Sequence, residues 1–205
     1  MDYNTLASKE IVNKTVQALN GHNIETFITG TSAEALAKIK ELIPKGASVM
    51  NGSSVTLEQI GFVEYLKSGD HGWDNLHARV LNEKDPVKQL YLRKQAILSD
   101  YYLGSVHALT QTGEFVIGSN TGSQLPHIVY SSQNLVFVAG TQKIVPDFPE
   151  AMKRLEDYVF PLEDKHIKEK FGVGTMLSKV VIFKNENPRL GRKVRMILVN
   201  EKLGF

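Results

Sequence analysis

The chain has 205 residues, with 24 Lys and Arg against 22 Asp and Glu, 42% hydrophobic residues and no cysteine. That length suits one generous domain, able to bury about 70% of its unfolded surface without staples. Lack of cysteine excludes disulfides, thiolate metal sites, iron–sulfur ligation and a cysteine nucleophile.

No basic start leads into an apolar run, and no 18-residue apolar stretch occurs. The expectation is a cytoplasmic protein, neither exported nor membrane-spanning. The densest basic run, Pro188 to Arg195 with Arg189, Arg192, Lys193 and Arg195, reads as a solvated loop entering a strand. Nucleic-acid binding is therefore not expected.

Leu6, Ile11, Val12, Val16 and Leu19 recur at helical spacing and predict a helix from about Thr5 to Leu19, stopped by Asn20-Gly21. Ile24, Phe27 and Ile28 predict a strand. Thr31 and Glu34 make a capping box for a helix carrying Ala35, Leu36, Ile39 and Ile43 on one face. The stretch "ASVMNG" predicts a second strand. Thr56 and Gln59 read as a second capping box opening another helix. Strands alternating with helices imply crossovers and a parallel sheet.

A looser region around Trp73 follows, with one weak strand expected near Ala78 to Leu81. Asp85-Pro86 opens a helix expected to run to Tyr102, burying Val87, Leu90, Tyr91, Ile97, Leu98 and Tyr101. Gly104 to Thr110, a turn at Gln111-Thr112-Gly113 and "EFVIG" predict a hairpin. A short helix is expected in "LPHIVYSS", and "NLVFVAG" is apolar enough for a strand covered on both faces. Asp147 caps a long helix toward Phe171. "KVVIFKNE" and "VRMILVNEKLGF" close the chain as a strand pair. The fold class expected is α/β: a mostly parallel sheet with helices on both faces, an N-terminal helix over residues 1–22 and that C-terminal pair.

Ligands of such sheets bind at the carboxyl ends of the strands. The loop Gly118-Ser119-Asn120-Thr121-Gly122-Ser123-Gln124 stands at one strand exit. Its glycines take positive φ cheaply, and consecutive N–H groups there make either an ordinary turn or an anion-binding nest. Asn51-Gly52-Ser53-Ser54 stands at a second exit, with caps as the plainer reading and an amide cluster as the functional one. His107 shares a strand face with Ser105 and is a candidate donor or general acid–base, with Asn120 as a second candidate catalytic residue. Lys143, at a third exit, is a candidate anion contact, and Asp100 a candidate organiser. No histidine pair has metal-ligating spacing, and neither a P-loop nor a G-x-S-x-G elbow occurs.

The segments "GSVHALTQTGEFVIGSNTGSQLP", "NLVFVAGTQKIVPDFPEAMKRL", "VNEKLGF" and "GSSVTLEQIG" together resemble the LUD (lactate utilisation) domain family. The resemblance covers most of the chain. It implies a single LUD-like domain over 1–205 with a fold similar to ribose-phosphate isomerases and CoA-transferases. It also implies an anionic small metabolite as ligand: an organic acid, a sugar phosphate or a CoA ester. The alternative it implies is a non-catalytic partner or sensor subunit of a lactate-type oxidoreductase. No cofactor is implied, and a homodimer is compatible. Relatives commonly carry Asn where this chain has His107, and Asp and Asn-Arg where it has Ser119 and Ser123-Gln124, so the ligand here is expected to differ.

Overall fold

The computed structural model describes all residues from Met1 to Phe205. Runs such as Leu135-Val136-Phe137-Val138-Ala139 suit strands with both faces covered, and they form the centre of a six-stranded, wholly parallel sheet. Its order is β1 (Ile24–Thr29), β10 (Lys193–Val199), β7 (Asn134–Gly140), β4 (Tyr101–Gly104), β2 (Ser48–Asn51) and β3 (Asp74–Asn75). A second sheet has the order β8 (Ile144–Val145), β5 (Ala108–Thr110), β6 (Phe115–Ser119), β9 (Lys179–Phe183), with β5–β6 and β6–β9 antiparallel.

The period-2 alternation of strand side chains sorts the core into layers. Val136, Val138, Ile197 and Val199 point to one face, where α2 (Ser32–Leu42), α3 (Val55–Gln59) and α4 (Phe62–Ser68) bury Ala35, Ile39, Leu57, Phe62 and Leu66. Leu135, Phe137, Met196 and Leu198 point to the other. There α1 (Lys9–Gly21) supplies Val12 and Leu19, and the second sheet supplies Leu109, Phe115 and Ile117. The far side of the second sheet, with Ala108 and Val116, is covered by Ala151, Leu155 and Val159. These belong to one continuous helical rod: α7 (Phe148–Lys153), a π-type segment Arg154–Val159, then α8 (Phe160–Phe171). No helix is long and apolar enough to cross a membrane.

Several local expectations give way. Ser54, not Thr56, caps α3, its hydroxyl accepting from Leu57 N–H at 3.3 Å. Thr56 is thereby placed inside the helix and buried. Ala78 to Leu81 lie in α5 (Leu76–Asn82), because the Asn75 side chain accepts from Ala78 N–H at 3.0 Å and starts a helix after a two-residue strand. The helix opened by Asp85-Pro86, α6 (Pro86–Gln95), stops early. Tyr101-Tyr102-Leu103 gains more as a fully buried strand between β2 and β7 than as a helical stripe. The expected stripe is largely solvent-facing, with Val87 78% and Leu98 77% exposed. Gly104 to Thr110 is not one strand: the chain leaves the large sheet at Gly104 and enters the small one at Ala108. The last two strands likewise belong to different sheets and do not pair with each other.

Candidate functional site

Because the large sheet is parallel, the register Asn51↔Leu103, Gly104↔Phe137 and Val199↔Gly140 puts the ends of β2, β4, β7 and β10 at one edge. The chain segments leaving those ends therefore meet: 52–56, 105–107, 141–143 and 200–204. They floor a cleft of about 700 Å³, walled on one side by α3 and α4 and on the other by the helical rod and residues 175–177.

Lys143 lies at the floor, 3% exposed. Its Nζ donates to Thr56 Oγ1, Ser105 Oγ and the Val106 carbonyl, each at 3.1 Å. No Asp or Glu carboxylate pairs with it, since the ion pairs of the molecule lie elsewhere. Burial, and then the nearby Arg154 guanidinium, hold the ammonium well below the ordinary lysine range. Gly204 closes over it with φ +63°, so close that a β-carbon there would stand 3.1 Å from Nζ and overlap the Thr56 hydroxyl. A larger residue would displace the lysine from its hydroxyl partners.

Arg154 is a second buried cation, with no measurable exposure. Its Nη1 donates to the carbonyl of His107 and to a main-chain oxygen of Phe205. Its Nε and Nη2 have no partner. The Tyr3 and Tyr158 rings lie 5.5 and 5.3 Å from its guanidinium carbon and supply part of the compensation. Desolvation lowers it to about 10, which leaves it charged at neutral pH. His107, half-buried beside these cations, is lowered to about 3 by desolvation and then by the charges of Lys143 and Arg154. Its Nδ1 accepts from Gly118 N–H at 2.9 Å, so the neutral ring carries its proton on Nε2.

The two glycine-bearing loops converge. A β-carbon on Gly52 would lie 2.6 Å from the Tyr102 hydroxyl and 3.3 Å from Gln124 Oε1, and Asn51, Gly52, Ser53 and Ser54 line the same cleft as Gly118, Ser119, Asn120, Thr121, Ser123 and Gln124. Gly122 stays outside the lining, its φ of +80° turning the chain against Lys179. Three backbone amides of the 118–124 loop are already engaged. Gly118 N–H goes to His107, Gly122 N–H to Ser119 Oγ at 3.0 Å, and Ser123 N–H to Thr121 Oγ1 at 3.3 Å. Those three are not free for an anion, and the basic group on the floor is a side chain, Lys143. Asn120 stands at the rim, its amide donating to Thr175 Oγ1 at 3.1 Å. On the floor, Asn51 is buried and its Oδ1 has no partner.

Asp100 is at the opposite edge, accepting from Ser48 N–H and Oγ at 2.9 and 2.7 Å where β2 and β4 begin, and takes no part in the cleft. The C-terminal basic run is structural. Arg192 donates to the carbonyls of His127, Ile128, Val129 and Ser132 and pairs with Glu186 at 3.3 Å, and Arg195 pairs with Glu25 at 3.0 Å. Sequence reasoning missed Arg154 and the role of Thr56. For Arg154 a signal existed: it sits at helical spacing among the apolar Ala151, Leu155 and Val159, a charged residue on the buried stripe.

A family model described as the LUD domain matches residues 12–175. Among solved structures, the chain is similar to a DUF162 family protein from Deinococcus radiodurans at 12% identity, covering 95% of this chain and 99% of that one with a TM-score of 0.54. A ribose 5-phosphate isomerase A from Neisseria gonorrhoeae aligns at 12% identity over 77% of this chain and 76% of that one, with a TM-score of 0.38. No curated protein matches the chain.

Proposed function

The chain belongs to the LUD domain family, and from that premise and the cleft we propose that it binds a small anionic metabolite at the carboxyl ends of the parallel strands, its charge seated against the Lys143 cluster. The observation that carries this reading is Lys143, buried without an Asp or Glu partner at the floor of a 700 Å³ cleft, with a second buried basic side chain, Arg154, behind it on the His107 carbonyl. An uncompensated buried charge costs several kcal/mol, and a bound anion removes that penalty. Ser105 and Thr56 hold their oxygens toward Lys143, and their rotatable hydroxyls, which point to Thr56 Oγ1 at 3.2 Å and the Leu203 carbonyl at 3.5 Å, would turn to donate to an incoming oxyanion. His107 adds Nε2–H as a neutral donor.

Calorimetry with organic acids, sugar phosphates and inorganic phosphate tests the reading. At least one saturable ligand is expected, weakened tenfold or more by Lys143→Met. Binding is also expected to take up protons, because an anion beside Lys143 favours its protonated form and raises a pKa that burial had lowered. The measured enthalpy then changes with the buffer's ionisation enthalpy, and affinity rises as pH falls. Absence of any anionic ligand, or binding indifferent to Lys143→Met, rejects the proposal.

A second reading, a non-catalytic partner subunit, draws on the exposed apolar side chains of α6, Val87, Leu90 and Tyr91. Retention of an oxidoreductase subunit by the wild type and its loss in Val87→Lys/Tyr91→Lys would support it. Equal retention by both would reject it.

A further inference from the structure

The floor occupies only one end of the cleft. We propose that the ligand is an amphipathic monoanion: an anionic head at Ser105, Thr56 and Lys143, and an extended acyl or aryl body lying along the helical rod toward Phe171. This rests on the anion reading above and extends it to the rest of the ligand.

Size is the first argument. A volume of about 700 Å³ falls in the range of sites for drug-sized ligands, roughly 300–1,000 Å³. A two- or three-carbon acid held at Lys143 leaves most of it unfilled. The second argument is the wall. Leu155, Val159, Phe160, Ile167 and Phe171 all line the cleft. Spaced along one face of a rod rising 1.5 Å per residue, they make an apolar strip about 24 Å long. The strip starts beside the floor: a β-carbon on Gly118, whose N–H holds His107, would lie 3.0 Å from Leu155 and 2.7 Å from Leu177. At its far end the large apolar side chains of Phe171 and Met176 are 63% and 66% exposed at the mouth.

Glu163 is on the same wall, half-buried and in no ion pair, and burial pushes its carboxyl upward. A second negative charge carried along the body would be repelled there, an effect that His166 and Lys170 on the same wall partly offset, and would have to be desolvated against Leu155 and Val159. The cleft thus favours a ligand charged at one end only over diacids and bisphosphates.

Calorimetry with acetate, butyrate and octanoate, with octanedioate and octylammonium as controls, decides the matter. Full burial of a methylene is worth about fourfold in affinity, and half of that over six methylenes predicts roughly 50-fold tighter binding of octanoate than acetate. Octanedioate is expected at least tenfold weaker than octanoate. Met176→Glu and Ile167→Asp, at exposed and half-buried positions, should flatten the chain-length series and leave acetate unchanged. Lys143→Met should weaken every member. Affinity independent of chain length, a flat response to Met176→Glu and Ile167→Asp, or octanedioate binding as well as octanoate overturns the amphipathic assignment while leaving the anion reading intact. Failure of all carboxylates and phosphate to bind, or octylammonium binding as tightly as octanoate, overturns both.

Discussion

Two groups of buried cations sit in this molecule and are treated in opposite ways. Arg192 and Glu186 have side chains only 6% exposed each, and the guanidinium reaches four main-chain carbonyls as well. Arg195 is held by Glu25 and Asn134. Lys143 and Arg154 are buried as deeply but have no Asp or Glu partner, and two Arg154 nitrogens have no hydrogen-bond partner. A folding chain gains nothing from leaving a buried charge uncompensated. The first group is explained by architecture alone: it ties the 186–195 segment to the π-type turn His127–Ser131 and to β1. The second has no such architectural anion, and Lys143 of that group faces the cleft. Burial of charge by itself does not separate the two; the accounting of partners does.

The comparison breaks most sharply if Arg192 turns out to be dispensable. Arg192→Met leaves Glu186 as a buried carboxylate without its cation and removes donors from four carbonyls. Breaking a buried pair by deleting one member costs about 3–5 kcal/mol. Urea denaturation at pH 7 should show a loss of that size, and a loss below about 1 kcal/mol would mean the pair is solvated and the contrast with Lys143 is false.

Next in size is an acid-limb effect at His127, a buried base that solves the problem by staying neutral. Its ring stacks on Tyr102 at 4.6 Å, and its Nδ1 is within 3.3 Å of the Ser99 and 3.1 Å of the Ser132 hydroxyl. Desolvation lowers it from 6.5 to about 4. Between those values the unfolded chain binds a proton that the native state does not, so stability falls as pH drops through this window. The depression corresponds to about 3 kcal/mol lost by pH 4. His107, lowered to about 3, acts in the same direction, though its partial exposure reduces the effect. Denaturation curves at pH 7, 5.5 and 4 should steepen in the wild type and flatten in His127→Phe, which keeps the stack on Tyr102. Identical pH slopes in the two proteins would show that His127 is protonated in the native state.

Much of the fold was legible. The apolar runs of β7 and β10 announce a sheet covered on both faces, and the caps at Thr31, Asp85 and Asp147 mark real helix starts. What was not legible follows from tertiary context. Tyr101-Tyr102-Leu103 continues a helical spacing in sequence, and only burial between β2 and β7 makes it a strand. The split of Gly104–Thr110 between two sheets leaves no local trace, yet it turns Ser105 and His107 toward the cleft. Strand exits rich in glycine and hydroxyls can be read from sequence, and those at 51–54 and 118–124 line one cleft. Which backbone amides of that loop are already engaged cannot be read from sequence: those of Gly118, Gly122 and Ser123 are. Lys143 in isolation reads as a surface lysine. Its burial depends on β8 joining the second sheet beside β5, a pairing across 35 residues that no local pattern encodes.

The smallest expected effect is also the one whose sign discriminates best. Lys143→Met removes a buried charge and keeps a long apolar stem of similar volume. Three hydrogen bonds are lost, but Ser105 Oγ already donates to Thr56 Oγ1 at 3.2 Å, so the two hydroxyls continue to satisfy each other. Replacing an uncompensated buried ion with an apolar side chain is neutral or stabilising, here by up to about 2 kcal/mol. A pH signature accompanies it. The native state holds Lys143 below its ordinary 10.5, so between the depressed value and 10.5 the unfolded chain binds the extra proton and wild-type stability rises with pH. That rise should be shallower in Lys143→Met. Denaturation of both proteins at pH 7 and 9 without ligand checks the sign and the slope together. If Lys143→Met were instead destabilised by more than about 2 kcal/mol, the lysine would be an architectural tie like Arg192, and the reason for placing an anion beside it would be gone.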